Sequence, residues 1–260
     1  MNVSVIGLGK LGNPLSEIIS IHHNVIGYDI ISSGSIKECA TSEYIFVVVP
    51  TPHDDEYDGS NITSNLPPRD FDYSIVKEVF FNLNKYLKIT QNVILVSTVL
   101  PGTMKTLRPL LKCNLYYSPF LVSLDQVKFN IVSPELLMIG GEDCDKIIEL
   151  YKTFSLCERY VTGTYEEIEL MKMSVNTILS MKITFANTLQ DISQKIGNID
   201  IDKITRELAT TYFLNNTEFT TAGLSAGGPC LPRDVIAMKW FAKEYNLGYD
   251  FFGFLRDIQE

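Results

Sequence analysis

Short apolar runs recur through the first 160 residues, at Val3 to Gly7, Val25 to Asp29, Tyr44 to Val49, Val93 to Ser97, Leu115 to Tyr117, Leu136 to Gly140 and Tyr160 to Val161. Amphipathic stretches separate several of them. The clearest, at 73 to 88, places Val76, Val79, Phe80, Leu83 and Leu87 on one helical face. Apolar strands alternating with helices predict a doubly wound parallel sheet covered on both sides, an α/β architecture. From about Thr164 the pattern is helical only, with candidates at 164 to 196, at 200 to 210 and from Arg233 to Tyr245. The change falls beside a Thr-Gly-Thr turn at Gly163, so a sheet domain over 1–162 is expected to precede an all-helical domain over 163–260.

Charge narrows the partners. Thirty-one acidic against 22 basic residues give a net charge of −9, which argues against nucleic acid or an anionic membrane as partner, since both select basic patches. A phosphorylated ligand must then be held by local backbone dipoles. The five cysteines, at 39, 113, 144, 157 and 230, include no Cys-x-x-Cys pair and read as free thiols of a reducing compartment. No apolar run approaches the roughly 20 residues of a membrane span. The start MNVSVIGLGKLG lacks the basic n-region of a secretory signal, so a soluble cytoplasmic protein is expected. The stretch 53 to 70 is polar and rich in Gly, Pro and Asn; its acidic cluster (Asp54, Asp55, Glu56, Asp58) lacks calcium-loop spacing and reads as a solvated loop. No metal is expected, and His22 and His23 read as surface residues.

The first strand runs into Gly7-Leu8-Gly9-Lys10-Leu11-Gly12 and then an apolar helix from Asn13 to Ser20. That is the context a dinucleotide fingerprint requires. Gly7 permits a tight turn, Gly9 lets backbone approach a pyrophosphate, and Gly12 allows close packing of helix on strand, with the helix N-terminus facing the anion. Asp29 ends the second strand seventeen residues after Gly12. A carboxylate there accepts hydrogen bonds from a ribose diol and repels a 2′-phosphate, so the expected cofactor is NAD, not NADP.

Near the C-terminus stands Gly227-Gly228-Pro229-Cys230-Leu231-Pro232-Arg233-Asp234. Glycines and prolines hold a cysteine just before a helix, where the helix N-terminus and Arg233 favour the thiolate, making Cys230 a candidate nucleophile. The alternative is a small buried hydrophobe in a turn. Here the chain resembles the UDP-glucose/GDP-mannose (nucleotide-sugar) dehydrogenase family, through GLGKLG with Asp29, YIFVVVPTP (44 to 52), STVLPGT (97 to 103), PELLMIGG (134 to 141), ELMKMSVN (169 to 176) and GGPCLPRD (227 to 234). The resemblance implies NAD-dependent oxidation of a sugar C6 alcohol to the acid in two steps, through a thiohemiacetal and a thioester on Cys230.

It further implies Asp234 and Thr98 as positioners of the catalytic water, and Lys172 and Asn176, four apart on the long helix, as donors to the oxyanion. Cofactor contacts are expected from Gly7, Gly9, Lys10, Leu11, Gly12, Asp29, Pro50, Thr51 and Thr98. Three departures accompany the match. Where the family carries a Glu after Ser-Pro, this chain has Phe120, and a second family Glu falls on Leu124; Glu135 is not promoted in their place. Only fourteen residues separate Asp29 from Tyr44, so a helix and strand are expected to be trimmed. The chain is also expected to stop before the family's third domain, which closes over the nucleotide.

Two alternatives stay open: a two-domain β-hydroxyacid-type dehydrogenase making one hydride transfer with no use for Cys230, and an inactive NAD-binding protein that pairs with another chain. The long helix 164 to 196 carries more apolar residues than one face needs, consistent with a homodimer through it, as in the family, or with burial in its own domain.

Overall fold

The computed structural model describes residues 1–31, 34–53, 67–210, 228–244 and 250–259. Seven strands form one sheet: β1 Asn2–Ile6, β2 Asn24–Tyr28, β3 Tyr44–Val47, β4 Asn92–Leu95, β5 Asn114–Tyr117, β6 Leu137–Gly140 and β7 Tyr160–Gly163. The helices between them are α1 Gly12–Ser20, α2 Ile36–Cys39, α3 Ser74–Asn84, α4 Thr103–Leu107, α5 Val127–Val132 and α6 Asp145–Lys152. After β7 come α7 Tyr165–Ile196, α8 Ile201–Ala209, α9 Leu231–Glu244 and α10 Phe251–Gln259.

The strand order is β2-β1-β3-β4-β5-β6-β7, parallel except where β6 runs against β5 through Tyr117 and Gly140. The doubly wound, mostly parallel sheet is the expected one, with β5 and β6 as its antiparallel pair. The chain leaves β5, packs α5 on α1, and re-enters the sheet from the end at which β5 finishes, so no crossover is needed. Between β2 and β3 the described residues form the four-residue α2, started by a capping box of Ser35 and Glu38. β2 is therefore the sheet edge, in keeping with the short span between Asp29 and Tyr44.

β3, β4 and β6 are buried at every position, as strands covered on both faces must be. α1 buries Leu15, Ile18 and Ile19, and α3 buries Val76, Val79, Phe80 and Leu83, the face its periodicity predicts. On one side of the sheet the Tyr151 ring is surrounded by Phe46, Phe120 and Phe154, with ring centroids 5.5–6.2 Å away. Such aromatic contacts add about 0.5–1.5 kcal/mol each beyond the area they bury.

Two compact units divide the chain: Met1–Pro52 with Asp72–Lys172, and His53–Phe71 with Met173–Glu260. The first contains the whole sheet. The second is helical: α10 packs on α9, and Val235, Ile236, Ala237 and Leu255 are buried. Gly197 and Asn198, both at positive φ, follow the end of α7, and the Asp200 carboxylate accepts from the Lys203 N–H to start α8. The acidic cluster at 54 to 58 lies outside the described residues.

Candidate functional site

The sheet order reverses between β1 and β3, because the chain moves outward to β2 and then returns past β1. Ligands of open α/β sheets bind beyond the strand ends at such a point. The turn after β1 is built for close approach. Gly7 has φ +93°, and a Cβ on it would stand 2.5 Å from the Val48 carbonyl oxygen; one on Gly12 would stand 1.8 Å from the Gly7 carbonyl oxygen. Above Gly9 nothing lies within 4 Å. The first turn of α1 holds no acidic side chain, so nothing competes with an anion for its N–H groups. Asp29 accepts a 2.7 Å hydrogen bond from the Leu8 N–H, which ties the end of β2 to the glycine turn. Lys10 and Pro50 are exposed and Leu11 is half-buried. This cradle fits a dinucleotide pyrophosphate on α1 and a ribose near Asp29.

The segment after β4 is held from several sides. Thr51 donates to the Thr98 carbonyl at 2.8 Å, Ser97 donates to the Val49 carbonyl at 2.6 Å, and the Leu100 N–H and Thr103 hydroxyl both reach the Tyr73 hydroxyl at 3.2 Å. Glu169 on α7 completes the fixation, accepting from the Gly102 N–H at 2.7 Å and the Met104 N–H at 2.6 Å. Sequence reasoning missed this residue. Its signal was its register, three before Lys172 and seven before Asn176 on one helix face.

Glu169 is fully buried, and that burial pushes its carboxyl up to about 7 against the two N–H bonds that lower it. Between the ordinary 4.5 and about 7, the unfolded chain has released this proton while the folded chain retains it. Folding stability therefore falls as pH rises through that window. A Glu169→Gln variant is expected to flatten the fall by roughly 2–3 kcal/mol, read from urea denaturation at pH 5 and pH 8.

Lys172 is buried, and its ammonium donates to the Phe120 carbonyl at 3.0 Å. The Phe120 ring is buried edge-on against Tyr151, with centroids 5.9 Å apart, while Leu124 is exposed. A glutamate at position 120 in this backbone would place a carboxylate among aromatic rings, at a large desolvation cost.

In the second unit, Cys230 lies half-buried in the turn before α9, and its carbonyl accepts from the Asp234 N–H at 3.0 Å. The Asp234 side chain is fully buried. One oxygen accepts from Arg233 Nε at 2.9 Å and the other from the Asn176 amide. Arg233, expected to act on the thiol, is thus paired with Asp234, and its guanidinium lies over the Phe71 ring at 5.2 Å. Asn176, expected to serve only an oxyanion, also orients Asp234. His53 was missed as well: it is buried beside Phe71, with ring centroids 6.3 Å apart.

No described cysteine forms a disulfide, and burial pushes the thiols of Cys39, Cys113 and Cys144 up, Cys39 to about 11. Among the described residues no group of three or more His, Cys, Asp or Glu could hold a metal ion, and no helix is long and apolar enough to cross a membrane.

The switch-point sheet and glycine turn define a dinucleotide-binding protein of the Rossmann class. The chain belongs to the UDP-glucose/GDP-mannose dehydrogenase family: residues 31–155 match its NAD binding domain and residues 166–260 its central domain, and NAD is its cofactor. It is 24% identical to a UDP-glucose 6-dehydrogenase of Rickettsia conorii, over 81% of this chain and 47% of that protein. It is equally 24% identical to a putative UDP-glucose 6-dehydrogenase of Bacillus subtilis, over 95% of this chain and 64% of the relative. The chain thus matches 47% of the length of one relative and 64% of the other. A UDP-glucose dehydrogenase from Pyrobaculum islandicum superposes with a TM-score of 0.84 at 20% identity, covering 99% of this chain and 67% of that one. A UDP-D-ManNAc dehydrogenase from Pyrococcus horikoshii gives 0.82 at 20% identity, covering 100% and 68%.

Proposed function

We propose that the chain oxidises a nucleotide sugar, UDP-glucose or a close analogue, at C6 to the uronic acid with NAD. The supporting observation is the Cys230 turn, a half-buried thiol one helical turn ahead of a buried carboxylate engaged by Arg233 and Asn176. The names of the relatives agree with it. NAD, when bound, supplies the hydride acceptor.

On this proposal Gly7, Gly9, Lys10, Leu11 and Gly12 hold the pyrophosphate, Asp29 the ribose diol, and Pro50, Thr51 and Thr98 complete the cofactor contacts. The Cys230 thiolate adds to the C6 aldehyde left by the first oxidation, and the second oxidation converts that thiohemiacetal to a thioester. Lys172 and Asn176 donate to the tetrahedral oxyanions; removing one such donor typically raises a barrier by about 3–4 kcal/mol. Thr98 and Asp234 position the water that releases the acid.

Residues 1–162 form the NAD-binding domain and 163–260 the central domain, a division supported by the matched spans. Ile178 and Met181, 54% and 39% exposed on α7, support a second copy of the chain as partner. The cytoplasm, which holds NAD and keeps thiols reduced, is the proposed compartment. The test is incubation with NAD and a panel of UDP- and GDP-sugars, following NADH and intact protein mass together. Two NADH per UDP-glucose are expected; neither NADH nor a Cys230 adduct with any sugar overturns the proposal.

A further inference from the structure

Four loops leave the sheet at one end. β1, β3, β4 and β5 are neighbouring parallel strands, so the glycine turn, the Pro50-Thr51 run, the segment 96 to 104 and Ser118-Pro119-Phe120 open on the same edge. That is the edge where ligands of an open α/β sheet bind. The start of α7 reaches two of these loops. Glu169 accepts from the Gly102 and Met104 N–H groups, and Lys172, one turn further on, donates to the Phe120 carbonyl. All of these groups belong to the first compact unit.

The segment that Glu169 holds is the one that carries Thr98, whose carbonyl accepts from the Thr51 hydroxyl. Little slack separates the two points. The Thr103 N–H donates to the Leu100 carbonyl at 3.1 Å, and the Leu100 N–H and Thr103 hydroxyl share the Tyr73 hydroxyl. Gly102, at φ +91°, makes the sharp turn that brings two N–H groups to one carboxylate.

Each Glu169 oxygen has its own donor, Oε2 from Gly102 and Oε1 from Met104. The ionised carboxylate satisfies both. Protonation sets a hydroxyl against one of the N–H groups, and one of the two bonds is weakened. Burial is the main influence favouring the neutral form, and Glu166, three residues back on α7, adds to it. The N–H groups of Met104, Gly102 and Thr103 favour the ionised form, while Lys105 on α4 is exposed. The carboxyl therefore changes state at about 7.

We propose that Glu169 is a positioning residue for the cofactor: its ionised carboxylate fixes the turn at 100–104, which sets Thr98 for NAD, and its proton leaves to solvent as NAD binds. This rests on the cofactor contact proposed above for Thr98. By linkage, the gain in NAD affinity on ionising Glu169 equals the ease with which bound NAD removes its proton. The direction is opposite to that of folding stability over the same pH window, since the ionised state holds the turn better and is the costlier one to bury.

The test is calorimetric titration of the wild-type chain with NAD at pH 6.5 in two buffers of different ionisation enthalpy, which counts the proton. If NAD prefers the ionised form about tenfold, about half a proton is released per NAD, and affinity falls roughly five- to tenfold between pH 8 and pH 5.5. Glu169→Gln keeps one acceptor oxygen and sets an amide NH2 against the other N–H. It should bind NAD with the weaker affinity at both pH values, with the released proton gone. In the free wild-type protein the Gly102 and Met104 amide signals should titrate together near neutrality by NMR.

No sugar enters these measurements, so a chain that turns over no sugar leaves their outcome readable. Wild-type NAD binding without proton release overturns the proposal even where the two amides titrate, because Glu169 then serves the fold alone. A Glu169→Gln variant with wild-type affinity, pH dependence and proton release overturns it as well.

Discussion

Gly12→Ala is expected to lose NAD binding and several kcal/mol of stability, whereas Gly9→Ala loses NAD affinity alone. The two glycines are three residues apart in one turn, yet their surroundings differ. A Cβ on Gly12 would stand 1.8 Å from one backbone atom of Gly7 and 2.9 Å from another, so the start of α1 must move away from β1. Overpacking against backbone costs about 1–3 kcal/mol or more, and the displacement carries the helix N-terminus away from the pyrophosphate.

A Cβ on Gly9 meets nothing within 4 Å, and Gly9 is not at positive φ. Alanine there should leave the melting temperature within about 1 °C while filling the space the cofactor needs, weakening NAD at least tenfold, or about 1.4 kcal/mol. Thermal denaturation with calorimetric NAD titration checks both. Equal effects of the two substitutions on stability would contradict the close approach at Gly12.

Cys230→Ser is expected to cut the NADH yield from two per sugar to at most one and to remove any covalent adduct from the intact mass. A serine hydroxyl is a far weaker nucleophile at neutral pH, and no base is hydrogen-bonded to position 230 among the described residues. Loss of a nucleophile of this kind lowers turnover through the covalent step on the order of 10³-fold or more. The fold should tolerate the change, since Cys230 is only half-buried in a turn and its backbone carbonyl, not its sulfur, accepts from Asp234. Unchanged NADH stoichiometry in Cys230→Ser would instead favour a single hydride transfer, as a β-hydroxyacid-type enzyme performs.

Local patterns made most of the fold legible. Each strand is a short apolar run, and the face buried by α3 follows directly from its 3.6-residue period. The glycine turn could be read because its chemistry is local: the residues that must lack a Cβ are the ones that form the turn. The antiparallel β6 could not be read, because strand direction depends on where the intervening chain packs, and α5 packs on α1, more than a hundred residues earlier.

The candidate site divides in the same way. Cys230, Asp234, Lys172 and Asn176 stand out as sequence blocks, but the pairing of Asn176 and Arg233 with Asp234 joins residues up to 58 apart. In sequence Glu169 is one acid among several near the start of a helix, with Glu166 and Glu167. Its two backbone partners, at 102 and 104, make it a buried anchor. His53 looked like the first residue of a polar loop until Phe71 and Arg233 were found around it.

The sequence by itself determined the strands and main helices, the dinucleotide turn and the family, because each depends on residues close together in the chain. Only the tertiary structure decided which polar groups are buried and what they face. Burial comes from segments distant in sequence, and it is burial that lifts Glu169 to about 7, keeps the His53 ring neutral and seals Phe120 into the core.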